Sequence, residues 1–364
     1  MVRWRSGTVT AVRRRWRGAI ELDASLPDGA AVRALAYPEL VGAPEVGDRV
    51  LLNVGALLMG LGTGGYALVV ALPDRLPPDP PQPADTRAAG HLVKARYTPL
   101  QPILLGVDEE ASPHRAALAD ADDLAGMPVV VADLHSALPA IVAGIRADRP
   151  QLRIAYVLTD GAALPAWFSR TLTGLADELV GTVTVGQAFG GDLEAATVHS
   201  GLLAARHVLR ADVTILSQGP GNLGTGTRWG FSGVAAGEAI NATAVLGGRP
   251  VGSLRISAAD PRPRHRGVSH HSLTAYGRVA LARADLVVPD GLAPELAAAV
   301  DAALAPLAAR HTLVRVGTDG LDAALRGAPV PLSTMGRGLT DDAEYFLAAA
   351  AAGRHAATLA PPPP

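Results

Sequence analysis

The chain has 364 residues, of which 49% are hydrophobic and only 4% aromatic, and its formal net charge is −2. Such a length implies two domains with cores built from Ala, Val and Leu. The near-balanced charge argues against a protein dedicated to nucleic acid or to an anionic membrane. The absence of cysteine excludes disulfides, thiolate nucleophiles and cysteine-held metals, so any metal must sit on His, Asp or Glu.

The stretch Met1 to Val12 is basic and lacks an apolar core. No run approaches the ~20 apolar residues of a membrane span, so a cytoplasmic protein with no membrane partner is expected. The 32 basic residues include a single lysine, Lys94. It is either retained for its point-charge ammonium or a chance survivor of compositional drift.

Residues 1–75 read as a small all-β barrel of the SH3 or OB type. Short strands are expected at Val2–Arg5, Thr8–Val12, Ala19–Leu22, Ala31–Tyr37, Arg49–Asn53 and Tyr66–Leu72. Turns at Gly7, Gly18, Asp28-Gly29, Gly47-Asp48 and Gly60 to Gly65 separate them. Arg3, Arg5, Arg13, Arg14, Arg15 and Arg17 make this barrel basic, with Trp4 and Trp16 beside them. That is one route to nucleic-acid binding, but so few aromatics favour a solvated surface. A stiff proline-rich linker follows over 76–87, beginning LPPDPPQP.

Over 88–359 the pattern is that of a Rossmann-like α/β domain, and 360–364 form a proline tail. Apolar strands at Val129–Val131, Ile154–Leu158, Val183–Val185, Val213–Leu216, Val251–Ile256 and Leu286–Val288 alternate with helix-length segments. Leu313–Val316 offers a seventh strand. Helices are expected at Ser136–Arg146, Leu164–Leu179, Leu193–Leu209 and Asp342–Leu359. Strands apolar throughout are covered on both faces, hence a doubly wound, mainly parallel sheet of six or seven strands.

In such a sheet, ligands bind beyond the carboxyl ends of the strands. The loops there carry Asp133 and His135, Asp160, Asp192 and Glu194, then a glycine-rich run, then Asp260, His265, His270 and His271. The opposite loops are plain turns. Asp133, His135, Asp160, His270 and His271 are therefore the candidate catalytic groups. Two readings stay open: a divalent metal (Zn, Mn or Fe) on Asp133, His135, His270 and His271, or metal-free acid/base work. Each residue also has a structural role to offer, such as Ser269 or Asp192 as a helix cap.

The glycine-rich run offers Gln218, Gly219, Gly221, Asn222, Gly224, Thr225, Gly226, Thr227 and Arg228 as a cradle for a small anionic ligand. Lys94 and Arg96 can add charge. It contains G-x-G-x-x-G directly after a strand. Further glycines precede any helix and no acidic residue ends the next strand, which weakens a dinucleotide reading. Without GK[ST] it is no P-loop.

The stretches GHLVKARYTPLQ (Gly90 to Gln101), GPGNLGTGTRWGFSG (Gly219 to Gly233) and RHRGVSHHSLTAYGRVAL (Arg264 to Leu281), with MGRG (Met335 to Gly338), resemble a bacterial family. That family is catalogued as a domain of unknown function, DUF3866. The resemblance spans nearly the whole chain and implies no activity, cofactor or catalytic residue. The expected function rests on the site: hydrolysis of, or group transfer from, a small phosphorylated or nucleotide-like anion. The rivals are a non-catalytic metabolite-binding regulatory module and nucleic-acid binding by the barrel. Substrate, metal identity and whether the chain forms a homo-oligomer stay open.

Overall fold

The computed structural model describes residues 2–61, 64–79 and 90–361. It divides into two compact units, one of Met1–Leu104 with Trp167–Thr173, the other of Leu105–Ala166 with Gly174–Pro364. Residues 80–87 of the expected linker, 62–63 of the glycine turn and 362–364 of the proline tail lie outside the described residues.

The first unit is a closed barrel of β1 (Trp4–Trp16), β2 (Ala19–Ser25), β3 (Ala31–Ala36), β4 (Arg49–Asn53) and β5 (Ala67–Ala71), in the order β1-β2-β3-β5-β4. Strand β1 serves two neighbours. Trp4 to Thr8 pair with β4, and Thr8 to Trp16 pair with β2. Irregularities at Val9/Ala11 and Val12/Arg15 bend it so that the sheet can close. Val9, Leu22, Ala34, Val50, Leu52 and Val69 fill the interior. A second cluster on Leu35, Tyr37 and Tyr66 takes in Trp16, Trp167 and Phe168. Strands β6 (Leu92–Val93) and β7 (Ile103–Leu104) pair as a separate short ribbon.

The second unit carries β8 (Pro128–Val131), β9 (Ile154–Thr159), β10 (Gly181–Thr184), β11 (Leu193–Glu194), β12 (Val213–Gln218) and β13 (Arg249–Ser253). After a two-stranded ribbon of β14 (Ile256–Ser257) and β15 (Gly267–Val268) come β16 (Asp285–Pro289) and β17 (Thr312–Val316). The large sheet has eight strands, all parallel, in the order β11-β10-β9-β12-β8-β13-β16-β17. The count exceeds expectation through β11, a two-residue strand where a helix is predicted. The helix there starts only at Val198, because Thr197 and Ser200 form a capping box. The single helix expected over Leu164–Leu179 is instead three short turns.

Strand β12 returns to lie between β9 and β8, so β8 and β12 flank the point where the winding reverses. Helix Leu138–Asp148, after β8, packs against the C-terminal helix Ala343–Leu359. Helix Ala235–Val245, after β12, joins a different core with Val198–His207. The helices after the two strands thus pack on opposite faces, the arrangement at whose carboxyl edge ligands are expected to bind.

The pairing of Leu138–Asp148 with Ala343–Leu359 depends on two glycines. A Cβ on Gly144 would overlap the Ala350 carbonyl, and one on Gly353 the Ile141 carbonyl. Gly144→Ala should therefore cost ~1–3 kcal/mol through forced separation, outweighing the ~1 kcal/mol that alanine returns in helix propensity. Urea unfolding measures the difference, and an unchanged midpoint would disprove the tight crossing.

The ends of β8, β9 and β12 are joined by a buried polar relay. The Tyr156 hydroxyl lies 2.9 Å from His135 Nδ1 and 2.9 Å from Ser217 Oγ. Burial pushes His135 down to about 4. The unfolded chain, with an ordinary pKa of ~6.5, takes up the proton first, so stability is lost as pH falls from ~6.5 towards 4, by up to ~3 kcal/mol. Denaturation of wild type and His135→Gln across that range should show the smaller acid loss in the variant. Parallel pH profiles would contradict it.

Candidate metal centre

The loop between β13 and the helix His270–Thr274 is built to aim three histidines inward. Ser269 is the helix cap: its Oγ accepts the His271 N–H at 3.2 Å and lies 2.7 Å from His265 Nδ1. If His265 donates from Nδ1, its Nε2 keeps a lone pair facing the interior. The helix continues as a π turn, Ala275–Val279, a distortion common at functional sites. There the Tyr276 hydroxyl lies 2.8 Å from the Val131 carbonyl and 3.1 Å from that of Ser253. The helix is thereby fixed to the ends of β8 and β13.

The rings of His265, His270 and His271 are mutual neighbours, with centroids 4.4–4.9 Å apart. One ring nitrogen from each lies within 4.8 Å of the other two. His265 Nε2, His270 Nε2 and His271 Nδ1 are buried without a hydrogen-bond partner. Asp133, after β8, places Oδ2 3.6 Å from His271 Nδ1, and that oxygen is also buried and unpartnered. A separation of 3.6 Å is too long for a hydrogen bond.

Four buried polar atoms without partners are costly unless something binds there. Three imidazole nitrogens suit a borderline cation such as Zn²⁺. Tetrahedral ligation at ~2.1 Å would set them about 3.4 Å apart, so the rings would have to draw together from spacings of up to 4.8 Å.

The electrostatics keep His265 and His270 neutral. Burial, then the Arg255 and Arg262 charges, push His265 down to about 3. Burial, then His271 and Arg264, push His270 down to about 4. Both therefore present lone pairs at neutral pH. The arginines are held in turn by Asp260, which is fully buried and receives Arg255 at 3.0 Å, Arg262 at 2.9 Å and Arg337 at 3.2 Å. Burial alone would raise the Asp260 pKa, but hydrogen bonds and charge from Arg262, with Arg255 behind, hold it well below the usual carboxylate range. Arg337 also pairs with Asp342, which accepts from Ser257 at 2.8 Å.

The glycine-rich run is a hairpin over this centre. Thr225 N–H donates to the Gly230 carbonyl, Ser232 N–H donates to that of Leu223, and Gly224 bridges Phe231. Phe231, at its base, stacks on His271 at 3.8 Å with the planes 2° apart. Gln218 Nε2 donates to the Asp133 carbonyl at 2.8 Å and to Asn222 Oδ1 at 2.9 Å, tying the β8 loop to the hairpin. Gly233 is needed at this crossing, because a Cβ there would lie 2.9 Å from the Asp133 carbonyl oxygen. The Thr225 and Thr227 hydroxyls bond each other and the Gly230 backbone, while Arg228 stays exposed.

Of the residues picked from sequence, Asp133, His270 and His271 come together with the base of the hairpin, through Gln218 and Asn222. His135 spends Nδ1 on Tyr156 and is not one of the clustered rings. Asp160 is exposed and holds the Gln187 N–H at 2.8 Å. Asp192 binds the Thr182 N–H and hydroxyl, and Glu194 the Thr184 hydroxyl and the Gly190 N–H. Lys94 is fully buried within the first unit. Sequence reasoning noted His265 without making it a ligand, and missed Phe231, Arg255, Arg337 and Asp342. The available signal was the H-x-x-x-S-H-H spacing, which lets the serine that caps the helix of His270 and His271 also bond the His265 ring.

No curated protein and no solved structure matches the chain. A family model described as "Protein of unknown function (DUF3866)" matches residues 33–353, from β3 to the last helix, with the whole histidine cluster inside the match. The chain belongs to that family.

Proposed function

We propose that the α/β unit holds one divalent transition metal of the zinc kind on His265, His270 and His271, and hydrolyses, or transfers a group from, a small anionic substrate. The observation that carries this reading is the convergence of three imidazoles, two buried and one half-buried, each with a buried ring nitrogen that has no partner among the described residues. Three protein ligands are the pattern of catalytic rather than structural zinc, since a fourth position is left to water or substrate. A metal there would lower the pKa of bound water and polarise an acceptor group. Asp133 has an unpartnered oxygen beside His271, where it can orient that ring and take a proton from water. The charges of Arg255, Arg262 and Arg264 reach the histidines and favour an anion. The hairpin of Gly219 to Phe231, with Arg228, forms a cover for it.

Elemental analysis of purified protein should find about one equivalent of metal per chain, lost in His265→Ala and His270→Ala. Added Zn²⁺ at ~100 times its Kd should stabilise wild type by ~2.7 kcal/mol and leave those variants unmoved. No bound metal and no metal-dependent shift in melting would sink the proposal.

Asp133→Asn should retain the metal while slowing hydrolysis of phosphate-ester or carboxylate-ester probes by ~10²–10⁴-fold. Metal retention with no turnover by wild type on any such probe would favour the regulatory, metabolite-binding reading instead.

A further inference from the structure

The barrel unit carries a cleft of its own, which the metal centre does not explain. It has a volume of about 700 Å³, within the range of small-molecule sites. Its walls are Arg13, Arg14, Arg33 and Arg170, set against one carboxylate, Glu21. Its apolar surface comes from three aromatic rings, Trp16, Tyr66 and Phe168. In a chain with only 4% aromatic residues, three rings among four arginines are a marked concentration.

The rings are held in place. Trp16 Nε1 donates to the Trp167 carbonyl at 2.7 Å, and Tyr66 is buried in the cluster that also contains Trp16 and Phe168. Trp16 and Phe168 are only half-buried, so part of each ring faces the cleft.

The arginines are positioned, and the neighbouring carboxylates offset only part of their charge. The Arg33 guanidinium lies 5.3 Å over the Tyr66 ring, a cation–π placement. Arg33 and Arg14 approach Glu21 only to 3.7 and 4.0 Å, while their side chains stay 50% and 70% exposed. Glu21 is buried and sets the inner ends of these residues without cancelling four positive charges. Of the four, Arg13 alone has a close carboxylate partner among the described residues, Asp23 at 2.7 Å.

Fixed cations beside partly exposed rings match one class of ligand: a phosphate joined to an aromatic base. We propose that this cleft binds a nucleotide, its phosphate on Arg14, Arg33 and Arg170 and its base against Trp16 and Phe168. The same chemistry is offered by a free nucleotide and by one unit of a single strand.

The test uses the full chain. AMP is titrated calorimetrically, a fluorescein-labelled oligo(A) ten-mer is followed by anisotropy, and inorganic phosphate is the control. Saturable binding of AMP or the ten-mer is expected, weakening as salt rises, and at least about tenfold tighter than phosphate because stacking contributes. A ten-mer preference identifies a single strand; equal affinities per site identify the free nucleotide. Arg33→Ala and Trp16→Leu should each weaken binding about tenfold or more. Arg170→Ala, which lies outside the barrel strands, tests the phosphate side if either variant fails to fold by circular dichroism. His270→Ala must leave the affinity unchanged, which separates this cleft from the metal centre. No saturable binding, phosphate binding as tightly as AMP, Arg170→Ala without effect, or loss of binding in His270→Ala would each overturn the assignment.

Discussion

Imidazole rings packed as closely as those of His265 and His270 repel one another once both are charged. At centroid spacings under 5 Å, two protonated rings out of water would repel by several kcal/mol. For His265 and His270 burial supplies the largest bias towards the neutral form, and His271 and the surrounding guanidinium groups add to it. Those guanidiniums would themselves be untenable without a counter-charge. Asp260 provides it at the centre of Arg255, Arg262 and Arg337. A buried ion network of this kind is weak support for stability taken as a whole, yet removing one member leaves uncompensated charge. Its consequence here is conformational: it holds Asp260 to Arg266 in one shape, and His265 sits within that segment.

The scaffold brings the remaining parts to the same place through topology. Because β12 folds back beside β8, the loop with Asp133 and the hairpin with Phe231 leave the sheet side by side. Gln218 then links them by side-chain hydrogen bonds, and Tyr276 fixes the histidine helix to the ends of β8 and β13. Glycine is what permits such close crossing. Without the bare backbone at Gly233, the hairpin base would be pushed off Asp133. The π turn, the capping serine and this glycine are local departures from regular structure at one rim, and they share the task of bringing these side chains together.

The architecture was legible because its signals are periodic and one-sided. Strands apolar throughout announce burial on both faces, and Val129–Val131, Ile154–Leu158 and Val213–Leu216 each became a central strand. What escaped was set by tertiary context. Leu193-Glu194 is too short to carry a period, and it pairs only because β10 offers a free edge. Leu164–Leu179 has helical spacing, but Trp167–Thr173 is taken into the barrel unit. In the centre, the adjacent histidines and Asp133 could be found from their place after strands. His135 follows the same strand, and only coordinates reveal that its ring pairs with Tyr156 instead. Phe231 and Arg337 carry no sequence sign of their role, since an aromatic stack and a second-layer ion pair are defined by distance alone.

The hairpin of Gly219 to Gly230 illustrates why glycine spacing by itself says little about chemistry. In a phosphate-binding loop, consecutive backbone N–H groups are left free to converge on an anion at a helix start. Here the Thr225 and Ser232 amides are spent on carbonyls across the hairpin and the threonine hydroxyls on each other. The glycines serve the turn instead: Gly221 and Gly226 have φ of 94° and 81°, a region in which other residues are strained. What the hairpin delivers to the centre is Phe231, an aromatic wall that fixes the plane of His271 and keeps water from one side of it.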